Sequence, residues 1–577
     1  MSLLRKSFSA AVVVAVACSS GNSTTQPVAV CTTASAQPIS LAVGQSATLD
    51  PTTGSACYGI PANASTTDSA EYLLVPWSAA RAPNESLSFM LTTTDSKPTA
   101  QVVRRMPAFA QRRSIARDFD AWRLNAGRTG SWPRPVDRTA ARRSLVAPPS
   151  LAAADSSPGK CAPLVVGMGC QFVVCDTVTC ATRVTVGATL QALGQKVAIF
   201  VDRAAAPPPE GLSSSDLTQL QQLMDSKLYA LDTVNFGRPS DIDGNGRVLV
   251  LMTPIVNQLV TAEECETVGF ILGFFFGADL DPRFNFMFNK GEIYYSLVAD
   301  STGQFSCPHP ASSVKRLSPR TFVHELQHLI NFSQHVVGKP TGSLSEEGWL
   351  DEGLSTYAEE ITGRTYVDPT ITNPIDTQTY RRYLVFGDMI DAWYYLSNSD
   401  QYYLEIPEDN GTVGEIGASW LFVRYLVDQY GPGLTAKLVN TTMYGSANVM
   451  AQTGADFTTL VNQWALANYL NDYPGFPTPS KYKYTSWGFR SAFDTLQRSV
   501  RSTFGDSVDF TPPYPLIPLA FPASNLSFGG TLRAGSGFYL RMLQGPKDPA
   551  AALLFASPSH YNLSAQQYPR LNIVRMR

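Results

Sequence analysis

Charge is sparse in this chain. Of its 577 residues only 16% are Asp, Glu, Lys or Arg, and the formal net charge is −3. So neutral a balance lacks the basic surplus that a polyanion demands, and nucleic acid is excluded as an expected partner. Long apolar runs are missing too, since no stretch reaches the ~20 residues of a mature transmembrane helix. Histidine is scarcest among the residues that carry chemistry, with five in all, and none lies between His335 and His560. A site that uses imidazole must be built from very few positions. Core and turns are plentiful. The chain has 44% hydrophobic residues, 41 Gly and 40 Pro, and its length predicts three or more globular units.

Residues 1–17 read as an export signal, with Arg5 and Lys6 ahead of the short apolar run Ala10–Ala17. The run ends in Ala15-Val16-Ala17-Cys18, which resembles a bacterial lipobox except that Ala15 stands where Leu is usual. Cys18 is then the expected lipidation site and residues 18–37 a tether. This predicts an exported protein, held at the bacterial cell envelope (outer membrane) or released, whose only membrane contact is that anchor. Nine cysteines are an odd set. Without Cys18 eight remain, which an exported chain turns into as many as four disulfides. Cys31–Cys57 and Cys265–Cys307 are natural pairs. Cys161, Cys170, Cys175 and Cys180 supply two more, since their spacings lack the C-x₂-C of zinc ribbons.

The organisation predicts a multidomain α+β protein. Residues 38–100 alternate in short runs, as in a β-sandwich. Residues 101–159 are rich in Arg and Pro, with eleven Arg against three acidic residues from Arg104 to Arg143. They predict a solvated linker with one short helix near Ala116–Leu124; an inhibitory prosegment cut at an Arg pair is the alternative, which no specific motif supports. A catalytic unit is expected over 160–475 and a β-rich unit over 476–577. Within the former, strands are expected at Lys196–Asp202, Arg247–Thr253 and Glu292–Ala299, and helices at Ser214–Thr233, Gly417–Tyr430 and Phe457–Leu470. The turn Asp241-Ile-Asp243-Gly-Asn245-Gly246 copies the first half of a calcium loop, with oxygen ligands Asp241, Asp243 and Asn245 and a glycine in sixth place. Met252 stands at the twelfth position, so it is no EF-hand, and a tight turn without Ca²⁺ is the alternative.

The chemistry concentrates in His324-Glu325-Leu326-Gln327-His328. Ser318-Pro319 predicts the start of its helix, and Gly338 and Pro340 its end. Imidazoles four apart lie about 40° and roughly 6 Å from one another on a helix, so both reach one ion, with Glu325 beside them as general base. The third ligand is not a nearby histidine. Asn331 and Gln334 occupy the metzincin positions, and His335 is about 10.5 Å along the axis from His328. A downstream carboxylate must serve, and Glu346, Glu347, Glu352, Glu359 and Glu360 compete. Glu352 is preferred because Gly353 leaves room while Leu350, Leu354, Tyr357 and Ala358 pack the other side. Glu359 is then a candidate hydrogen-bond partner for a ligand histidine. Two His and one Glu on Zn²⁺ leave a position open for water, which a catalytic site needs. An oxyanion donor would come from Tyr380, Tyr394, Tyr395, Tyr402 or Tyr403, with no choice among them.

H-E-L-Q-H-L-I-N-F followed by W-L-D-E-G-L-S-T-Y-A-E resembles the gluzincin peptidases, and most closely the hyicolysin-like family of secreted bacterial neutral metalloproteases. The resemblance covers about residues 190–475. It implies a zincin-like, thermolysin-type catalytic domain between β-rich flanks, zinc on His324, His328 and Glu352, and Glu325 as base. It also implies that the strand near Glu292–Val298 pairs with an extended peptide or protein substrate. The expected protein is a monomeric metalloendopeptidase. Thr356 stands where thermolysin-like enzymes carry Asp, and no Gly-x-Met-Glu-Asn amine anchor is present, which counts against an aminopeptidase. The alternatives are a surface binding lipoprotein with a relic zinc helix, or a zinc hydrolase of non-peptide amides or esters.

Overall fold

The computed structural model describes residues 30–93, 114–139, 161, 163–340, 342–365, 379–406, 412–504 and 513–577. The signal, Cys18 and the Arg pairs at 104–105, 112–113 and 142–143 lie outside them. Two five-stranded sheets take strands from both ends of the chain. One runs Gln37–Pro38, Cys57–Ile60, Ala551–Ala556, Ser86–Thr93, Ser527–Arg533, and the other Leu519–Pro522, Leu540–Gln544, Ala70–Ser78, Pro569–Arg575, Ser46–Leu49. The two separate β units expected over 38–100 and 476–577 are therefore one interleaved sandwich. Either half alone would leave long edges unpaired. Pairing Ser527–Arg533 against Ser86–Thr93, from Ser527↔Thr92 to Arg533↔Ser86, covers one of them. It also brings Phe89 within 6.0 Å of Phe528 and 5.6 Å of Phe555, ring to ring.

Ala70–Ser78 is buried at every position, as a strand covered on both faces should be. Tyr72 and Leu74 face the sandwich core. Leu73, Val75 and Trp77 face the main core, where Trp77 meets Trp464 edge-on at 6.1 Å. The sandwich is thus packed directly onto the unit expected over 160–475.

That unit is built on a sheet ordered Gly273–Phe275, Ile293–Ser296, Val248–Met252, Val197–Asp202, Thr182–Leu193, Val136–Asp137, with Gly169–Cys175 also paired to Thr182–Leu193. Its three central strands are parallel. Gly273–Phe275 runs antiparallel along the edge. The helix expected over Ser214–Thr233 is continuous from Ser214 to Phe236, with one π-helical turn at Met224–Leu228. Four disulfides form: Cys31–Cys57 and Cys265–Cys307 are the expected pairs, and the cluster at 161–180, whose partners the spacing leaves open, joins Cys161 to Cys170 and Cys175 to Cys180. No helix among the described residues is long and apolar enough to cross a membrane.

The long metal helix spans Ala311–Val336 with Pro319 inside it, about two turns earlier than Ser318-Pro319 predicts. Lys315 pairs with Asp216 at 2.6 Å and so fastens the extra turns to the next helix. Ser318 Oγ donates to the Val314 carbonyl at 2.7 Å, serving one acceptor near the proline that lacks an N–H. Helices Gly348–Arg364, Thr379–Ser397, Val413–Tyr430 and Phe457–Leu470 complete the bundle.

Candidate metal centre

His324 and His328 project from one face of the metal helix, buried to 7% and 1% exposure. Their Nε2 atoms lie 3.1 Å apart. Glu352, from the helix Gly348–Arg364, sets Oε2 3.7 Å from His324 Nε2 and Oε1 3.7 Å from His328 Nε2. Ligands at about 2.0–2.1 Å in a tetrahedron would stand roughly 3.4 Å apart, so this set of two nitrogens and one carboxylate fits a zinc ion. Gly353 has a different use from the one its position suggests. A Cβ there would lie 2.8 Å from the Ser419 carbonyl, so the glycine lets the helix Val413–Tyr430 approach and press Glu352 toward the histidines.

A carboxylate stands behind each imidazole; the one behind His324 is hydrogen-bonded to it, whereas His328 Nδ1 is buried without a hydrogen-bond partner among the described residues. His324 Nδ1 meets Glu359 Oε1 at 2.8 Å, and the other Glu359 oxygen pairs with Arg320. Asp351 Oδ2 lies 3.1 Å from His328 Nδ1, and Asp351 also accepts from Asn331. Sequence reasoning passed over Asp351, although a carboxylate adjacent to a proposed ligand on the same helix was signal enough to weigh it. Burial works against a charge on His324, but Glu359, then Glu352 and Glu325, push it up to about 9. His328 is held well below its ordinary value by burial and by His324. One positive charge at the paired nitrogens is favoured and a second is not.

Glu325 is 3% exposed. It accepts from the Phe275 N–H of the edge strand at 2.8 Å, and burial pushes its carboxyl up against the opposing pull of Arg123. The atoms of His324, Glu325 and His328 all lie within 4.8 Å of one another. The strand Ile293–Ser296, near which substrate pairing was expected, has both edges occupied, by Gly273–Phe275 and Val248–Met252. Beside Glu325 the sheet ends at Gly273–Phe275, where the Phe275 N–H donates to Glu325 and the Phe275 carbonyl accepts from Arg123.

The other expected residues fall elsewhere. His335 is fully buried, with Nε2 4.0 Å from Glu346 Oε2. Glu360 turns away to accept from the indoles of Trp420 and Trp487 and from Arg424. Asp241 and Asp243 cluster with Glu292, apart from the histidines. Tyr395 stacks on Trp464 at 5.6 Å, Tyr402 lies 6.4 Å from Tyr395, and Tyr403 sits under Arg533. Tyr394 interacts with Asp391, though burial is what mainly raises its hydroxyl to about 12. The Tyr380 side chain lies outside the described residues.

The largest departure is in the stretch expected to be a solvated linker. Ile115–Thr129 is a helix lying on the site. Arg123, 2% exposed, donates to the Phe275 carbonyl at 2.8 Å and sets Nη2 3.2 Å from Glu325 Oε2. Arg117 reaches Glu352 at 3.5 Å and Asp391 at 3.4 Å. Phe119, Arg123 and Ala126 recur at helical spacing and are the buried face. That periodicity was readable, but an arginine in a basic stretch is ordinarily solvated.

No family model matches the chain. Over 201 residues it is 27% identical to the neutral metalloprotease ShpI of Staphylococcus hyicus, across 32% of this chain and 41% of that protein. The chain is a distant relative of a metallopeptidase. The match spans about two fifths of that relative's length. The relationship and the His324–Glu325–His328 cluster both point to a metal-dependent hydrolase. The disulfides are compatible with export to an oxidising compartment.

Proposed function

We propose that the protein is an exported zinc endopeptidase of the hyicolysin-like gluzincin type, with a thermolysin-like arrangement of helix and edge strand. The observation that carries this reading is the meeting of three elements. Two imidazole nitrogens and Glu352 converge, and Glu325 hydrogen-bonds to the Phe275 N–H of the sheet's last strand.

His324, His328 and Glu352 would hold the ion, with Glu359 and Asp351 behind the imidazoles. Zinc, when bound, polarises a carbonyl and makes a neighbouring water more acidic. Gly273–Phe275, the last strand of the sheet, takes an extended peptide as a further strand once the Phe275 carbonyl and N–H, now held by Arg123 and Glu325, are released. Glu325 Oε2 takes a proton from water and returns it to the departing amine; its burial raises its basicity for that task. The same burial requires that Arg123 not be bound to it during turnover.

The test is cleavage of casein and of a peptide library by the full chain, with and without 1,10-phenanthroline, alongside metal analysis. One zinc per chain and chelator-sensitive cleavage are expected. Glu325→Gln should keep zinc and lose turnover by at least about 10²-fold, while Glu352→Ala should lose zinc. Full activity in Glu325→Gln would sink the mechanism. Zinc without peptide cleavage, but with ester or small-amide hydrolysis, would move the protein to another hydrolase class.

A further inference from the structure

We propose that Asp241, Asp243, Asn245 and Glu292 form a second metal site, built for a calcium ion. The turn carrying the first three lies between the helix ending at Phe236 and the strand Val248–Met252. Gly244 and Gly246, at φ +72° and +71°, let it curl in left-handed steps that other residues resist. Oxygens of Asp241, Asp243 and Glu292 lie within 4.8 Å of one another. Glu292 comes from the start of another strand and takes the place of the carboxylate that Met252 cannot supply.

The second observation concerns Glu292 itself. It is 0% exposed. Its Oε1 accepts from Ser240 Oγ at 2.6 Å and from the Ile242 N–H at 3.0 Å, yet its Oε2 is buried without a hydrogen-bond partner. A buried carboxylate oxygen left unpaired is costly. None of the ion pairs among the described residues involves Asp241, Asp243 or Glu292, so three carboxylates face one another with no cationic side chain between them. Burial and these neighbours push Asp243 up to about 6. The clustered ligands Asp241, Asp243 and Glu292 are all oxygen donors, which favours calcium over zinc; Asn245, whose amide nitrogen now lies on Asp243 and whose Oδ1 accepts from the Arg247 N–H, would turn its oxygen inward on binding. Ser240 Oγ also lies 3.0 Å from Ser333 Oγ of the metal helix, so occupancy would brace that helix without contributing to its chemistry.

The test titrates CaCl₂ into dialysed full-length protein, followed by calorimetry and thermal unfolding. Sites of this exported kind bind at about 10⁻⁴–10⁻³ M, so 10 mM calcium should shift the folding equilibrium by on the order of 10- to 100-fold. Glu292→Gln and, should that fail to fold, the more exposed Asp241→Asn should lose the shift while keeping zinc. No shift in the parent protein, an equal shift with magnesium, or an undiminished shift in the variants would overturn the site. This inference does not depend on the peptidase reading.

A different observation carries a second inference, which does rest on that reading. We infer that the helix Ile115–Thr129 is an inhibitor built into the chain. It does more than lie nearby. Arg123 holds both the base, Glu325, and the Phe275 carbonyl that an incoming strand would need. Arg117 engages Glu352, and Arg128 engages Glu347 at 3.2 Å while lying over the Tyr444 ring. Beneath the helix a cavity of about 140 Å³ is lined by Leu124, Trp349, Glu352 and Ile416; it would open to substrate once the helix leaves.

The double variant Arg117→Glu/Arg123→Glu sets like charges against Glu352 and Glu325 and should drive the helix off. Its kcat/KM on a quenched peptide should rise at least 10-fold, with zinc content unchanged. A synthetic peptide of residues 114–130 added in trans should inhibit it. Should the double variant fail to fold, Arg117→Ala should give a smaller rise in the same assay. A parent protein already as active as folded variants, or indifference to the peptide, would refute the inference. Absence of cleavage in every form would instead refute the peptidase reading.

Discussion

Glu359 and Glu360 are adjacent carboxylates with opposite duties, and exchanging them one at a time separates metal affinity from stability. Glu359 Oε1 sits 2.8 Å from His324 Nδ1, and against the raising effect of burial Arg320 and His324 hold its carboxyl well below the usual range. Removing such a partner weakens metal binding by about 10- to 100-fold, or about 1.4–2.8 kcal/mol. Glu359→Gln keeps an oxygen for the imidazole N–H but loses the charge, so about 10-fold is expected. Glu359→Ala should approach 100-fold. Arg320 retains Asp388 at 3.0 Å, so neither change strands it entirely. Glu360→Gln should leave zinc affinity within about twofold. It weakens a buried node shared by Arg424, Trp420 and Trp487 and should cost about 3 kcal/mol of stability. Zinc affinity by competition with a chelating dye, and urea unfolding of the zinc-loaded proteins, give the two readouts. The reasoning fails if folded Glu359→Ala binds zinc like the parent, or if Glu360→Gln is the variant that loses it.

Three further outcomes are expected. Trp77→Ala empties the joint between sandwich and bundle, where Trp77 meets Trp464 and Tyr539, and should cost about 3–5 kcal/mol in urea unfolding; a loss under 1 kcal/mol would contradict the joint. Replacing Cys265 and Cys307 by Ser opens a crosslink spanning 42 residues of sequence, worth about 4 kcal/mol on the chain-entropy account, read as a lower urea midpoint. Burial pushes Asp279 up to about 7 despite its donors Tyr295 and Asn289. Its folded pKa thus exceeds the unfolded ~3.9, the folded state holds the extra proton between those values, and stability falls as pH rises through that window. Asp279→Asn should flatten the decline in Tm from pH 4 to pH 7, and an unchanged slope would count against it.

Legibility followed the range of the interactions. His324, Glu325 and His328 were readable because helical periodicity places them together over five residues. Phe457–Leu470 was readable because Leu460, Trp464 and Leu470 carry an apolar stripe; the structure adds the cap, Asp456, whose side chain accepts from the Thr459 N–H. The interleaved sandwich was not: no local pattern says that Ser527 will meet Thr92, since short alternating strands specify a face and not a partner. Arg123 was hidden for another reason. Its burial depends on Glu325 and Phe275, more than a hundred residues on, and an unpaired arginine would not be buried at all. The early start of the metal helix likewise depends on Lys315 finding Asp216 on a different helix.

The pairing of Ser46–Leu49 with Pro569–Arg575 has a bearing on how the molecule comes into being. Ser46–Leu49 must wait, edge exposed, until a strand more than five hundred residues later arrives. Contacts this distant in sequence form slowly, and unpaired strand edges invite aggregation in the meantime. The bundle can assemble while the sandwich on which it rests is half made. Arrival of Pro569–Arg575, rather than formation of the metal site, is then the event that closes this sheet.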